Sequence, residues 1–588
     1  MGLRAKISAV AARLSFADGI LLIPLAALLA ASTRVRGNSC GHDFSFHLIS
    51  WMEAQRSWAQ GVLYPHWAQS PNWGTGEARF LFYPPLSWML GALLGYIVHW
   101  DWIPMALIFM CLTASGLATR ALARQFLPAP NATLAGILAT AAPYALFCAY
   151  ERAAFAELAA ASLIPLLLLF SLSPPKVASL GSALFPVPSS LVLAAIWLTN
   201  APAGVMASYL LAFATLAAAL LHRAWWPILR AAFAVPLALG LAAIYLVPAA
   251  YEQRWIAIQQ AVDVGMRVSD SWLFARHAAT DLEYHDQVLR LASALLVMTA
   301  LFALIGFTVA FLRRKLSPAT RGYWLPLTLL IPVIVFLQFP FSAPIWNLLP
   351  KLQFLQFPWR WLMVLNTPFA LFLAAATPLA SRRARIVSAI VWTSLLLGST
   401  ATASLVFFQY CDQEDDPINQ AAIFRAGTGV EGTDEYAPLG GDNSLVASNL
   451  PDACLVSDPA QELGESETGD APVWYPEQGS CDDTFQAQLW QNQHKLLPIE
   501  TDQVGYLILR LRRYPAWKIT VNTHPVVAPV QREDGLIVLP VPAGASTVEV
   551  QWTTTPDVWW GRAVSLASLL LLTALWLRER RLKAIRLS

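Results

Sequence analysis

Charge is scarce in this chain. Only 13% of its 588 residues are Asp, Glu, Lys or Arg, about half the share of an ordinary soluble protein. Phosphate-binding glycine loops of the P-loop or dinucleotide kind are missing, which removes the usual nucleotide-dependent chemistries. None of the six cysteines has a partner at metal-site spacing, and no basic face of a soluble domain invites nucleic acid. The first apolar run lacks a convincing small-residue cleavage site, so it reads as a membrane segment and not as a removable leader.

In place of charge there is apolar length. Hydrophobic residues make up 56% of the chain. Thirteen apolar segments recur between 17–33 and 561–577, many near the ~20 residues that a bilayer crossing needs. An open sheet cannot satisfy its backbone in lipid, so most of these segments read as helices. The 24 tryptophans suit membrane interfaces; Trp51, Trp58 and Trp67 read as interfacial anchors. The expectation is a polytopic α-helical membrane protein with about 12–13 spans.

The net charge of +2 conceals a partition. Residues 409–560 hold 23 acidic and 7 basic residues, so that segment is strongly negative and the remainder strongly positive. Basic clusters at Arg4, Lys6 and Arg13, at 313–315, at 382–385 and at 578–583 mark cytoplasmic ends. They place 34–81 and 409–560 outside. The domains expected are 1–408 as membrane domain with 34–81 as first outer loop, 409–560 as an acidic extracytoplasmic region, and 561–588 as last helix and tail. One conflict stands. Counts from the two ends give opposite sides to 151–157, so one segment between 82 and 149 either does not cross or is wrongly divided. Trp517, Ile519 and Val521, and then Val548, Val550 and Trp552, alternate with polar residues, which predicts a β-sandwich-like unit at 503–556 before the last helix. Cys454 and Cys481 could pair if that region is outside.

Asp43 and His47 in the first outer loop fall one turn apart if 44–60 is helical. A carboxylate beside an imidazole at the membrane surface suits proton abstraction from a hydroxyl. Asp43 also fits a plain helix N-cap, and His47 a core position. Arg79 and Tyr83 follow in the same loop. Arg152 in "ERAAFAE", with Glu157, and Arg360 in "LQFPWRW" are charges embedded in apolar surroundings. Each arginine suits a phosphate clamp, and equally a structural ion pair or a snorkelling side chain.

"GVLYPHW", "FLFYPPL", "ERAAFAE", "LQFPWRW", "GTDEYAP" (432–438) and "RYPAWKITVN" occur in this order. Together with the Asp43–His47 loop they resemble the bacterial membrane-protein family labelled 6-pyruvoyl-tetrahydropterin synthase-related, similar to YfhO-like proteins and to GT-C-type glycosyltransferases. The pterin part of that label has no counterpart here, since no zinc-binding histidine cluster on a soluble α/β domain is evident. The resemblance implies a GT-C-like fold in the bacterial cytoplasmic membrane. It implies a polyprenyl-phosphate-linked sugar as donor and a glycan, lipid or protein acceptor. It casts Asp43, with His47, as catalytic, and Arg79, Tyr83, Arg152, Glu157 and Arg360 as substrate-binding. A divalent cation is the one cofactor it allows, although the paired-acid pattern of many relatives is missing. The rival readings are a transporter or flippase of a lipid-linked glycan, which predicts two related halves, and a non-catalytic envelope assembly protein.

Overall fold

The computed structural model describes residues 21–174, 186–464, 472–475, 480–527 and 531–585. The start of the first apolar segment and the basic Arg4, Lys6 and Arg13 lie outside the described residues. Among those described, nine helices are long and apolar enough to cross a membrane, and a bent pair, Trp226–Leu241 and Ala243–Trp255, meets at 72°. The chain is a polytopic helical membrane protein with a β-rich domain ahead of its last helix.

The conflict over sidedness resolves at 82–99. The helix there, Pro85–Leu94, has only ten residues, roughly half of a bilayer crossing. Arg34, at the end of the first helix, pairs with Asp101, just before the helix Ile103–Ala123, at 2.8 Å. The chain therefore leaves and re-enters the membrane at one level, and 82–99 does not cross. The short helix Val187–Thr199 does cross. Ser189 near its start meets Ser171 at 3.4 Å, and Arg230 reaches the Ser173 carbonyl at 2.8 Å, so both neighbouring helices have ends at that level. With this segment withdrawn, counts from the two ends agree on 151–157.

The β domain starts earlier than the alternation at 503–556 suggests. Among the described residues, nine strands form two antiparallel sheets. The first has the order β2 (Asp483–Phe485), β1 (Ala453–Val456), β5 (Gly505–Arg512), β8 (Leu536–Val541). The second runs β3 (Leu489–Trp490), β4 (His494–Thr501), β9 (Gly544–Trp552), β6 (Trp517–Val521), β7 (His524–Pro525). Leu507, Leu509, Ile537 and Leu539 of the first sheet pack against Leu497, Ile499, Val548 and Val550 of the second. This makes a sandwich with alternating inward side chains. Trp517, Ile519 and Val521 lie directly opposite Trp552, Val550 and Val548, so the two alternating runs are cross-strand partners.

The missed strands have physical reasons. β1 is buried at all four positions, because its sheet is covered on the other face by Val446, Ala447, Leu450 and Leu463. Such a strand shows no alternation. In β4 the inward row includes Lys495, which breaks the apolar pattern. Its ammonium is buried against the Trp517 ring at 4.5 Å and donates to the carbonyls of Gln491 (2.8 Å) and Asn492 (3.1 Å). Burial lowers its pKa well below that of an exposed lysine.

The acidic region is stitched to the first loop along its length. Disulfides join Cys40 to Cys411 and Cys454 to Cys481. Glu53, buried, accepts from Asn492 Nδ2 at 2.7 Å and from the Ser70 N–H at 2.7 Å. Glu77, buried, accepts from the Thr433 N–H at 3.1 Å. The Arg512 N–H reaches the Thr75 carbonyl at 3.0 Å. A loop and a domain more than 350 residues apart thus form one unit.

Candidate functional site

Asp43 opens the helix Phe44–Ala59. It takes the N-cap position, yet its side chain caps nothing. Three ties fix its place. Cys40 is bonded to Cys411. Gly41 lies flat on the turn before the helix Phe155–Leu172, where a Cβ would stand 2.1 Å from the Glu151 carbonyl oxygen; only glycine allows that approach. The Asp43 N–H then donates to the Arg152 carbonyl at 3.0 Å. Ser45, one residue into the helix, donates to Asp415 at 2.6 Å.

The freed carboxylate of Asp43 is 39% exposed and faces the Arg152 guanidinium at 3.8 Å. Arg152 Nη1 donates to Glu157 Oε2 at 2.5 Å. Arg360, on the 3-10 turn Pro358–Trp361, approaches the same oxygen at 3.4 Å. The Tyr144 hydroxyl donates to Glu157 Oε1 at 2.6 Å. The Phe357 ring lies near both guanidiniums, at 5.9 and 5.1 Å. Asp43 and Arg360 are therefore ends of one chain of contacts, although 317 positions separate them. Burial opposes the charge on Arg152, but Glu157 and then Asp43 outweigh it and hold its pKa well above the ordinary value.

The two arginines differ. Arg152 spends one nitrogen on Glu157. Arg360 makes only the longer ion pair; its Nε is buried without a hydrogen-bond partner, as are the indole nitrogens of Trp359 and Trp361 beside it. Unmet donors on three consecutive residues are costly.

His47 lies one turn beyond Asp43, fully buried, with its ring among those of Phe46, Trp51, Tyr83 and Phe155. Burial pulls its pKa down to about 4 against the raising effect of Asp43. The imidazole is neutral at neutral pH, and its Nε2 has no partner. Tyr83 stands 4.7 Å from Phe46, ring to ring. Burial first, then the Asp43 charge, pushes its phenol upward, while Arg360 and Arg152 oppose this. Asp43, His47, Tyr83, Arg152, Glu157 and Arg360 thus share one neighbourhood. Arg79 stands aside. It is buried against Glu77 at 2.5 Å, lies 4.1 Å from the Phe46 ring and donates to Ser50 Oγ at 3.2 Å.

Several supporting groups were not read from the sequence. Tyr144 is hidden in an apolar run. Gln409, which donates to Glu151 at 2.7 Å, carries no pattern of its own. The pairing of Cys40 with Cys411 had one available signal: both flank a span on the side assigned to the outside. A divalent cation does not fit beside Asp43. That carboxylate looks onto a guanidinium, and the next acid is held by two basic contacts, so positive charge already occupies the place a cation would take.

A family model described as 6-pyruvoyl-tetrahydropterin synthase related domain, membrane protein, matches residues 80–406. No curated protein matches the chain. Among solved structures, the Archaeoglobus fulgidus oligosaccharyltransferase in its apo form is 13% identical with a TM-score of 0.39, over 67% of this chain and 57% of that one. The same enzyme tethered to an acceptor peptide is 13% identical with a TM-score of 0.41, over 71% and 60%. The present chain thus spans less than two thirds of that enzyme. ArnT from Cupriavidus metallidurans, bound to undecaprenyl phosphate, is 12% identical with a TM-score of 0.28, over 74% and 92%. Likenesses of this strength say nothing about chemistry.

Proposed function

The chain belongs to the membrane-protein family described as 6-pyruvoyl-tetrahydropterin synthase related, and from that premise we propose that it is a glycosyltransferase moving a sugar from a polyprenyl-phosphate carrier to an acceptor outside the cytoplasm. One observation carries the reading: a partly exposed carboxylate stands beside one guanidinium, and a second guanidinium, joined to the first through Glu157, makes no hydrogen bond among the described residues. In this reading the acceptor hydroxyl attacks the anomeric carbon and gives its proton to Asp43. The bond from that carbon to the carrier phosphate breaks on the opposite side, which inverts the configuration. Arg360, with Arg152, receives the charge that develops on the phosphate. Glu157 holds the guanidiniums in place, and His47 and Tyr83 shape the floor. A strain lacking the gene should lose one sugar from an envelope glycan, lipid or glycoprotein, restored by the wild-type gene. Loss of a whole glycan, with its lipid-linked precursor accumulating inside, would instead favour the flippase reading.

The reading needs Asp43, Arg152 and Arg360 outside the cytoplasm. In its support, the basic clusters 313–315 and 382–385 follow helices that begin on the Asp43 side. Two exposed positions test the orientation. Gln503→Cys should react with an impermeant thiol reagent in intact cells, or in spheroplasts if an outer membrane intervenes. Ala319→Cys should react only after the membrane is opened. Labelling of both from one side would put Asp43 in the wrong compartment.

A further inference from the structure

The last helix enters the membrane beside charge that the transfer site does not use. Asp557, in the first turn of the helix Pro556–Ile585, is 5% exposed, and both of its carboxylate oxygens are buried without a hydrogen-bond partner. The carboxylate of Glu252, 1% exposed, lies within hydrogen-bonding reach of it. Glu252 ends the helix Ala243–Glu252. The Tyr514 hydroxyl, from the turn between β5 and β6, donates to Glu252 Oε2 at 2.5 Å, and Thr555 Oγ1 donates to Oε1 at 3.0 Å. Among the described residues neither acid forms an ion pair. Both hydroxyl protons are already given to Glu252, so neither serves Asp557.

Two buried carboxylates in contact repel each other, and a buried charge without a partner is strongly destabilising. The positive end of the helix dipole favours an ionised Asp557, yet no N–H reaches its oxygens. We propose that Glu252 and Asp557, with the hydroxyl oxygens of Tyr514 and Thr555, bind a hard divalent cation, Ca2+ or Mg2+, that fastens the last helix and the β sandwich to the membrane domain. Every candidate donor is oxygen, which selects these ions over zinc or copper. The two carboxylates would supply the charge and the first oxygens, and waters would complete the coordination of either ion. Its three walls come from residues 252, 514 and 555–557, so the ion would act as a staple across the sequence.

The test uses the full chain in detergent, first stripped with EDTA. Added Ca2+ or Mg2+ should raise the melting temperature by several degrees, saturably. Tb3+ should bind the wild-type protein, emit through excitation of Tyr514 and the nearby Trp559, and be displaced by Ca2+. Glu252→Gln and Asp557→Asn should each flatten the melting response, whereas Asp43→Asn should keep it. A melting temperature indifferent to both ions, with no displaceable Tb3+ emission, overturns the proposal. So does a response that survives in Asp557→Asn. If melting depends on pH alone between about 5 and about 8, whatever the cation, the two acids share a proton and no metal is bound. Should the variants fail to fold, Tb3+ displacement on the wild-type chain decides.

Discussion

Asp43→Asn should lower sugar transfer by about 10²–10⁴-fold while leaving the lipid carrier bound, because the change removes a general base and almost nothing else. The amide has the size of the carboxylate. The side chain makes no capping hydrogen bond, so its replacement should not loosen the helix Phe44–Ala59. The Asp43 backbone, which holds the Arg152 carbonyl at 3.0 Å, is untouched. One side effect is expected: Arg152 loses the weaker of its two acidic neighbours, at 3.8 Å, and keeps Glu157 at 2.5 Å. Carrier affinity should therefore hold or rise slightly. Binding can be read with undecaprenyl phosphate as probe, and turnover with a radiolabelled polyprenyl-phosphate sugar. His47 should add no limb to the pH–rate profile near its ordinary value of 6.5, since burial has moved its titration to about 4. Wild-type turnover in Asp43→Asn would remove the base from the mechanism and return Asp43 to a helix start.

What the sequence disclosed follows from how far each signal reaches along the chain. Spans are local and periodic, so most were legible. The exception, Pro85–Leu94, fails because an apolar run does not reveal its own direction. Only the contact of Arg34 with Asp101 shows that the chain turns back. The pairing of β6 with β9 was legible because both strands have one wet face. β1 was not, having none, and β4 hid behind a buried lysine. At the site, Asp43 stood out by its one-turn spacing from His47 in an outer loop, and Arg152, Glu157 and Arg360 as charges where lipid or apolar neighbours make charge expensive. That same expense attracts ion pairs, and the sequence does not show which glutamate each arginine meets: Arg79 is paired with Glu77 and Arg152 with Glu157. Tyr144 carries no formal charge, and nothing in an apolar helix marks one hydroxyl as the partner of Glu157.

The contrast between Arg360 and Arg152 gives the second large effect. Arg360→Ala should weaken undecaprenyl phosphate binding by about 10–100-fold, the worth of roughly 1.5–3 kcal/mol for a hydrogen bond to a charged group. Arg152→Ala should instead damage the fold of the site. It would leave Glu157, 3% exposed, with the Tyr144 hydroxyl and, as its one basic contact, Arg360 at 3.4 Å, and breaking a buried ion pair costs about 3–5 kcal/mol. Removing Arg360 is milder for the structure, because Glu157 retains Arg152 at 2.5 Å and the Tyr144 hydroxyl at 2.6 Å. The loss should thus appear in carrier binding more than in melting temperature. Arg360→Lys should restore only part of the affinity. Lysine returns the charge but not the planar fork that engages two phosphate oxygens together. A merely structural arginine would behave otherwise: Lys and Ala would differ in melting temperature, and neither would change the affinity for carrier. Equal carrier binding by wild type, Arg360→Lys and Arg360→Ala would leave the unmet donors of the Pro358–Trp361 turn without a phosphate to explain them, and with that the transfer mechanism would lose its leaving-group site.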